Sequence, residues 1–268
     1  MIHLRIVHGS DIHINHWLPF VTNQKKWEER TRTFIRALCL ATPGDVLILA
    51  GDFSEINAQT VWVLDEASKY YDRVYWTYGN HDLYLLTKTD KKKYKDSFGR
   101  LHALIEKTRY LKNVIPLICR VDTYQGRTFA GDAFFYLPSQ GDISFFNDVS
   151  SDSLYISLKE THCAYDAVKK LHNESLDWYN NLEEVDVLIT HVPPLHFKSS
   201  IYPANSCYYT DVPELKAAHW VCGHTHIQFD SVLYGTHFHV NCIGYPLRGE
   251  KLHQPVPLKR IRFATFDI

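Results

Sequence analysis

The stretch DVLILAGD, residues 45–52, decides the fold. Val46 to Ala50 are all apolar, and Gly51-Asp52 closes the run. A short strand with no polar face is one buried on both sides, as in an α/β sheet covered by helices. Upstream, residues 24–41 set Trp27, Phe34, Ile35, Leu38 and Leu40 among charges at helical spacing, and Pro43-Gly44 stops that helix. Further upstream, IHLRIVHGSDIH (2–13) reads as a strand that runs into Gly9-Ser10-Asp11. Downstream, residues 57–71 read as a helix and RVYWTYGNHD (73–82) as a third strand. This β-α-β-α-β run predicts neighbouring parallel strands joined by right-handed crossovers.

The rest of the chain continues in the same class. KTDKKKYKD (88–96) opens a helix expected to run to about residue 108, and short strands are expected near 114–121 and 127–131. FFYLPSQGDISFFNDVSSDS (134–153) reads as a long loop, and residues 161–181 as a helix. EVDVLITHVPP (184–194) and HWVCGHTH (219–226) are strands that end in histidines. DSVLYGTHFHVNCIGYP (230–246) reads as a hairpin turning at Gly235. No internal repeat, low-complexity segment or linker interrupts the sequence. Residues 1–268 are therefore expected to form a single domain, with a substrate-facing insertion around 88–150.

Composition narrows the function classes. Of 268 residues, 45% are hydrophobic and 22% charged, enough to bury a sizeable core. Lysine and arginine number 29 against 30 acidic residues, so no global basic field marks a non-specific nucleic-acid binder. The six cysteines form no C-x-x-C pair and read as free thiols. The start, MIHLRIVHGSDIH, enters a strand directly and carries no signal-peptide pattern, and no apolar run has the length of a membrane span. A cytoplasmic protein with no membrane association is the expectation.

Polar residues gather where strands end. Asp11-Ile12-His13, Gly51-Asp52, Gly79-Asn80-His81-Asp82, His191 and Gly223-His224-Thr225-His226 each follow a strand. The carboxyl ends of parallel strands line the ligand crevice of an open α/β sheet. Five such ends offering carboxylate, imidazole and amide predict one composite site. These donors suit hard-to-borderline divalent cations, and no cysteine among them suggests a thiolate zinc site.

In order, D-x-H, G-D, G-N-H-D, H and G-H-x-H resemble the blocks of the calcineurin-like metallophosphoesterase superfamily. ITHVPP, WVCGHTHIQFD and VNCIGYP are similar to one branch of small members that carry T-H-x-x-P, W-x-x-G-H-T-H and N-P-R-G-Y-P. The resemblance implies an α/β fold, a four-layer α/β/β/α sandwich with two mixed β-sheets. It implies two divalent metal ions, manganese first, with iron, zinc or nickel as other fits. Asp11, His13 and His226 would hold one metal. Asn80, His191 and His224 would hold the other, and Asp52 would bridge them. A metal-bridging hydroxide would attack phosphorus in line. His81 would touch the phosphate or protonate the leaving oxygen, with Asp82 orienting its ring. The branch arginine is replaced by Ile243, and Arg248 is the candidate substitute.

Substrate choice is less constrained. The lysines of residues 88–95 with Arg100 could form a basic rim, and Phe134-Phe135-Tyr136, Phe145-Phe146 and Tyr208-Tyr209 could stack on a base. The alternatives are a solvated helix face and core packing. The favoured reading is a phosphodiesterase acting on nucleotides or cyclic nucleotides. Alternatives are a phosphomonoesterase on small metabolites, a metal-dependent nuclease taking oligonucleotides, and a metal-bound interaction module without turnover. No protein partner is predicted. His16 and His196 read either as loop residues or as site neighbours. His237 and His239 share one face of a strand and are expected at the surface. Cys222 and Cys242 are expected to pack as small hydrophobes.

Overall fold

The computed structural model describes residues 3–197, 205–246 and 261–268. Arg248 lies outside the described residues. The first half runs β1 (Arg5–Gly9), α1 (Ile14–Trp17), α2 (Gln24–Ala41), β2 (Val46–Ala50), α3 (Asn57–Ala67), β3 (Arg73–Thr77), α4 (Lys88–Tyr94), α5 (Ser97–Thr108) and β4 (Val114–Pro116). Then come β5 (Arg120–Tyr124), β6 (Arg127–Asp132), α6 (Ile143–Asp148), α7 (Asp152–Tyr155) and α8 (Ala164–Asn180). The chain ends with β7 (Val185–Thr190), β8 (Ala217–Cys222), β9 (Gln228–Leu233), β10 (Thr236–Asn241) and β11 (Ala264–Asp267).

The described strands make two mixed sheets. One has the order β11-β1-β2-β3-β4, the other β5-β6-β7-β8-β10-β9. β1 to β4 pair in parallel, as do β6, β7, β8 and β10, while β11, β5 and β9 are antiparallel edges. The period-2 alternation of side chains sorts β2 between two cores. Leu47 and Leu49 join Phe34, Leu38, Val63 and Leu104 under the helices. Val46, Ile48 and Ala50 face the second sheet and meet Val187, Ile189 and Val221. The far face of that sheet packs Leu188, Trp220 and Phe238 against Tyr179 of α8. Two sheets back to back between helices give the α/β/β/α sandwich. Both parallel sets send their carboxyl ends to the same edge, and there the strand-end blocks meet.

Two expectations in the middle of the chain are corrected. The helix expected to run unbroken to residue 108 is two helices. Asp96 caps α5 by accepting from the Gly99 N–H, and Lys95 takes a positive φ of 73° to make the break. The expected loop at 134–153 contains α6 and the first half of α7. Within the 88–150 stretch, β4 extends the first sheet and β5 and β6 extend the second. Among the described residues, no helix is long and apolar enough to cross a membrane.

Arg100 ties this region to the site turns. It is 2% exposed. Its guanidinium donates to the carbonyls of His81, Tyr84 and Ser54 at 2.9, 2.7 and 2.9 Å and to Asn57 Oδ1 at 2.9 Å. It is a clamp on backbone, not part of a basic rim. Arg100→Met strands four buried acceptors, which costs roughly 3 kcal/mol or more and lowers Tm by about 6 °C or more. Calorimetry that found an unchanged Tm would contradict this clamp.

Candidate active site

The strand-end turns are stitched to one another before any side chain is considered. Asp11 N–H donates to the Gly51 carbonyl, His13 N–H to the Asp52 carbonyl and Gly223 N–H to the His191 carbonyl. The two sheets are joined by Asp11, whose carboxylate accepts from the His224 N–H at 3.1 Å. Asp11, His13, Asp52, His224 and His226 all have positive φ, between 42° and 65°. Non-glycine residues rarely adopt this conformation, and each costs of order 1–3 kcal/mol. The left-handed turns redirect successive side chains into one cavity. Gly79 and Gly223 are required by close approach. A Cβ on Gly79 would meet the Asp52 nitrogen at 2.7 Å, and one on Gly223 would meet Asp11 Oδ2 at 2.5 Å.

The side chains converge on Asp52. Its Oδ2 lies 3.6 Å from His13 Nε2, 3.4 Å from His191 Nε2 and 4.0 Å from His81 Nε2. Asp11 Oδ1 is 3.3 Å from His226 Nε2, and His226 Nε2 is 3.2 Å from His13 Nε2. Asn80 Oδ1 is 3.0 Å from His191 Nε2. Donor atoms of Asp11, His13 and His226, and separately of Asp11, Asp52 and His191, lie within 4.8 Å of one another. His224 is set a little apart, its ring 5.1 Å from that of His191.

This donor set fits divalent cations. Two imidazole nitrogens at hydrogen-bond distance, as in His13 and His226, share one bond at most, and buried His13 Nδ1 has no partner among the described residues. His191 Nδ1–H donates to the Ala50 carbonyl at 2.8 Å, which leaves Nε2 as the ligand atom. His224 Nε2–H donates to the Cys207 carbonyl at 2.9 Å, which leaves Nδ1. Burial, and then His81, keeps His13 well below the ordinary histidine value. Burial, and then His191, brings His224 down to about 4. Neutral imidazole is the metal-binding form. Burial opposes charge on Asp11 and Asp52, yet the imidazoles of His226 and His191 hold both carboxyls below the usual range.

His81 sits at the rim of this cluster. Its N–H donates to Asp52 Oδ1 at 2.9 Å, and its ring Nδ1 donates to Glu55 Oε1 at 2.7 Å. Burial disfavours its charged form, but Asp52 and then Glu55 outweigh that and raise its pKa. The expectation for Asp82 is corrected. Its carboxylate accepts from the N–H groups of Asp52, Phe53 and Gly79 at 2.9, 3.3 and 2.9 Å and so braces the turns. Burial, and then the charge of Asp52, lifts it to about 6. Glu55 takes the orienting place because it reaches the ring from the turn after Asp52, whereas Asp82 is turned inward.

Three contributors lie outside the residues expected at the site. Glu55 follows the G-D block by three residues and also lies 3.2 Å from His16 Nε2, so His16 is a site neighbour. Asp152 accepts from Asn80 Nδ2 at 2.8 Å and from the hydroxyls of Tyr84 and Tyr136, which turns the Asn80 oxygen towards His191. Tyr245 stacks on the His13 ring at 4.3 Å. Glu55 could have been found as a carboxylate next to a known block. Asp152 lies 72 residues from Asn80 in a Ser-rich stretch and carries no local signal. Ile243, in the place of the branch arginine, packs against the core.

The cavity at this edge has a volume of about 240 Å³. Asp52, Asn80, His81, His224 and His226 line it together with Phe145, Val149 and Tyr208, and Tyr208 packs on the His224 ring at 5.7 Å. Tyr84, Tyr136 and Asp152 line it too. None of the lysines of residues 88–95 lines it. Phe134, Phe135 and Phe146 are core residues, and His196 packs on Tyr209 with ring centroids 5.5 Å apart. Cys222 and Cys242 are buried in the core of the second sheet.

One solved structure agrees with this architecture. The phosphopantetheinyl hydrolase PptH from Mycobacterium tuberculosis has a similar fold, with a TM-score of 0.70 at 21% identity over 97% of this chain and 95% of that one. The calcineurin-like phosphoesterase YfkN from Bacillus subtilis aligns with a TM-score of 0.41 at 14% identity, over 91% of this chain and 82% of that one. No curated protein matches by sequence. A model of the calcineurin-like phosphoesterase family matches residues 4–228, which takes in all five strand-end blocks, and the chain belongs to that family of metal-dependent phosphoester hydrolases.

Proposed function

We propose that this chain is a dinuclear phosphodiesterase acting on nucleotide-class diesters. The observation that carries the reading is the mixed lining of the cavity. A phosphodiester has two substituents to accommodate, and the cavity offers Phe145, Val149 and Tyr208 beside its polar groups. The rings of Phe145 and Tyr208, 6.2 Å apart, make a shelf on which a base can stack. A phosphomonoester of a small metabolite without an aromatic ring would leave that shelf unused.

In this reading Asp11, His13 and His226 would hold one metal and Asn80, His191 and His224 the other, with Asp52 shared between them. Mixed carboxylate, imidazole and amide donors suit Mn²⁺. Two divalent cations held there supply Lewis-acid charge to the phosphoryl oxygens and bring the pKa of water towards neutrality. Asp152 and Ala50 orient Asn80 and His191 for that task. His81 carries the proton for the leaving alkoxide on Nε2, because Glu55 fixes its other nitrogen. Asp82 braces the left-handed turn at Asp52 and the adjoining turn that leads to Asn80.

Asp52→Ala removes the shared carboxylate, and turnover falls to background with every substrate. His81→Ala and Glu55→Gln separate proton transfer from binding. With an alkyl leaving group His81→Ala loses about a hundredfold in kcat and Glu55→Gln about tenfold. With p-nitrophenolate, which leaves without a proton, both losses shrink, and the bound metal is unchanged. Equal losses with both leaving groups, or loss of metal in the His81 variant, would remove His81 as the acid. The diesterase reading is tested by metal-free protein reconstituted with Mn²⁺. Bis-p-nitrophenyl phosphate and nucleotide diesters are cleaved at least about tenfold faster than p-nitrophenyl phosphate. Cleavage of the monoester alone would overturn it.

A further inference from the structure

A second group of histidines lies at the far end of the second sheet, away from the candidate active site. Alternation along β10 puts His237 and His239 on one face, and the parallel register sets His219 of β8 beside His237. On the other side, β9 brings Asp230 opposite His239. Nitrogens of His219, His237 and His239 lie within 4.8 Å of one another. His219 precedes His224 by five residues of strand and turn, roughly 15 Å along the chain. The expectation that His237 and His239 are both surface residues is corrected, since His239 is fully buried.

The local bonding is that of a ligand set. Asp230 accepts from His237 Nε2 at 2.6 Å and from His239 Nδ1 at 3.1 Å. That carboxylate fixes the His239 tautomer and leaves Nε2 with its lone pair, the arrangement that orients metal-bound imidazoles. His239 Nε2 then faces His219 Nδ1 at 3.1 Å, and a lone pair meets a nitrogen that can equally bind a cation. Phe266 stacks on His239 at 3.8 Å and on His219 at 5.1 Å, which holds both rings in place. Next to His239 lies His8, 1% exposed, with neither ring nitrogen hydrogen-bonded to a described residue. Burial, and then the neighbouring His239, takes His8 down to about 3, so it stays neutral. His8 and Asp230 both line a cavity of about 440 Å³. The side chains of His237 and Asp230 are 35% and 59% exposed, which opens a path from solvent.

We propose that His219, His237 and His239, oriented by Asp230, bind a late first-row divalent cation at a site separate from the catalytic centre. Three imidazoles select zinc, copper or nickel over magnesium, calcium or manganese. The bound ion joins β8 to β10 through direct ligands and β9 through Asp230, so it cross-links the edge of the second sheet. Because the folded chain alone assembles the three rings, binding there stabilises the fold.

Equilibrium dialysis of the full chain against Zn²⁺, with bound metal counted by mass spectrometry, tests this directly. His219→Gln/His237→Gln binds one equivalent fewer than the wild type, whatever number the catalytic centre holds. Phosphoesterase activity after Mn²⁺ reconstitution is unchanged. His237→Gln alone, at a partly exposed position, shows the same missing equivalent without disturbing the buried ring. In the wild type, Zn²⁺ added on top of a saturated catalytic centre raises Tm, and the variants lose that increment. Equal zinc content in wild type and both variants, or a Tm increment that survives the substitutions, would overturn the site.

Discussion

Everything in the candidate active site refers back to one carboxylate, that of Asp52, buried between imidazoles from both sheets. It lies at the carboxyl end of the most deeply buried strand, β2, and faces His13 from the first sheet and His191 from the second. A buried anion of this kind demands compensation. The chain provides it with the His81 N–H and the surrounding rings. The demand also explains the glycine at 79, since a side chain there would collide with Asp52. The sandwich is the scaffold that brings the carboxyl ends of two mixed sheets together around this residue.

The arrangement stores strain. Five of the converging residues hold left-handed backbone, and none of them is glycine. Such conformations persist only where the surroundings over-determine them. Here Asp82 bonds three backbone N–H groups, and Arg100 bonds three backbone carbonyls, in the turns beside Asp52 and His81. Both are charged residues used as braces. In the proposed mechanism cations complete this balance, because carboxylates and imidazoles point at a common space.

Much of this was legible in the sequence, for identifiable reasons. The apolar run of β2 and the amphipathic spacing of α2 are local signals, and α2 spans the expected residues 24–41. The strand-end blocks are short and compact, so the seven candidate ligands could be named and do gather at one edge. What failed depends on long-range contacts. Asp152 serves Asn80 from across the chain, and Asp82 versus Glu55 at His81 turns on which carboxylate faces the ring. The break at Lys95 rests on a cap by Asp96 that competes with an otherwise helical pattern. His239 looked like a surface residue because alternation gives a face, not which face is covered. The aromatic clusters were read as one class, yet Phe145 lines the cavity while Phe146 is core.

The central claim is that Asp52 is shared by two cations. Crystals of the Mn²⁺-reconstituted protein, measured at the manganese absorption edge, address it most directly. The account predicts two anomalous peaks about 3.5–4 Å apart, one on each side of the Asp52 carboxylate, within reach of His13 and His191 respectively. A single peak, or two peaks that leave Asp52 uncoordinated, would contradict it.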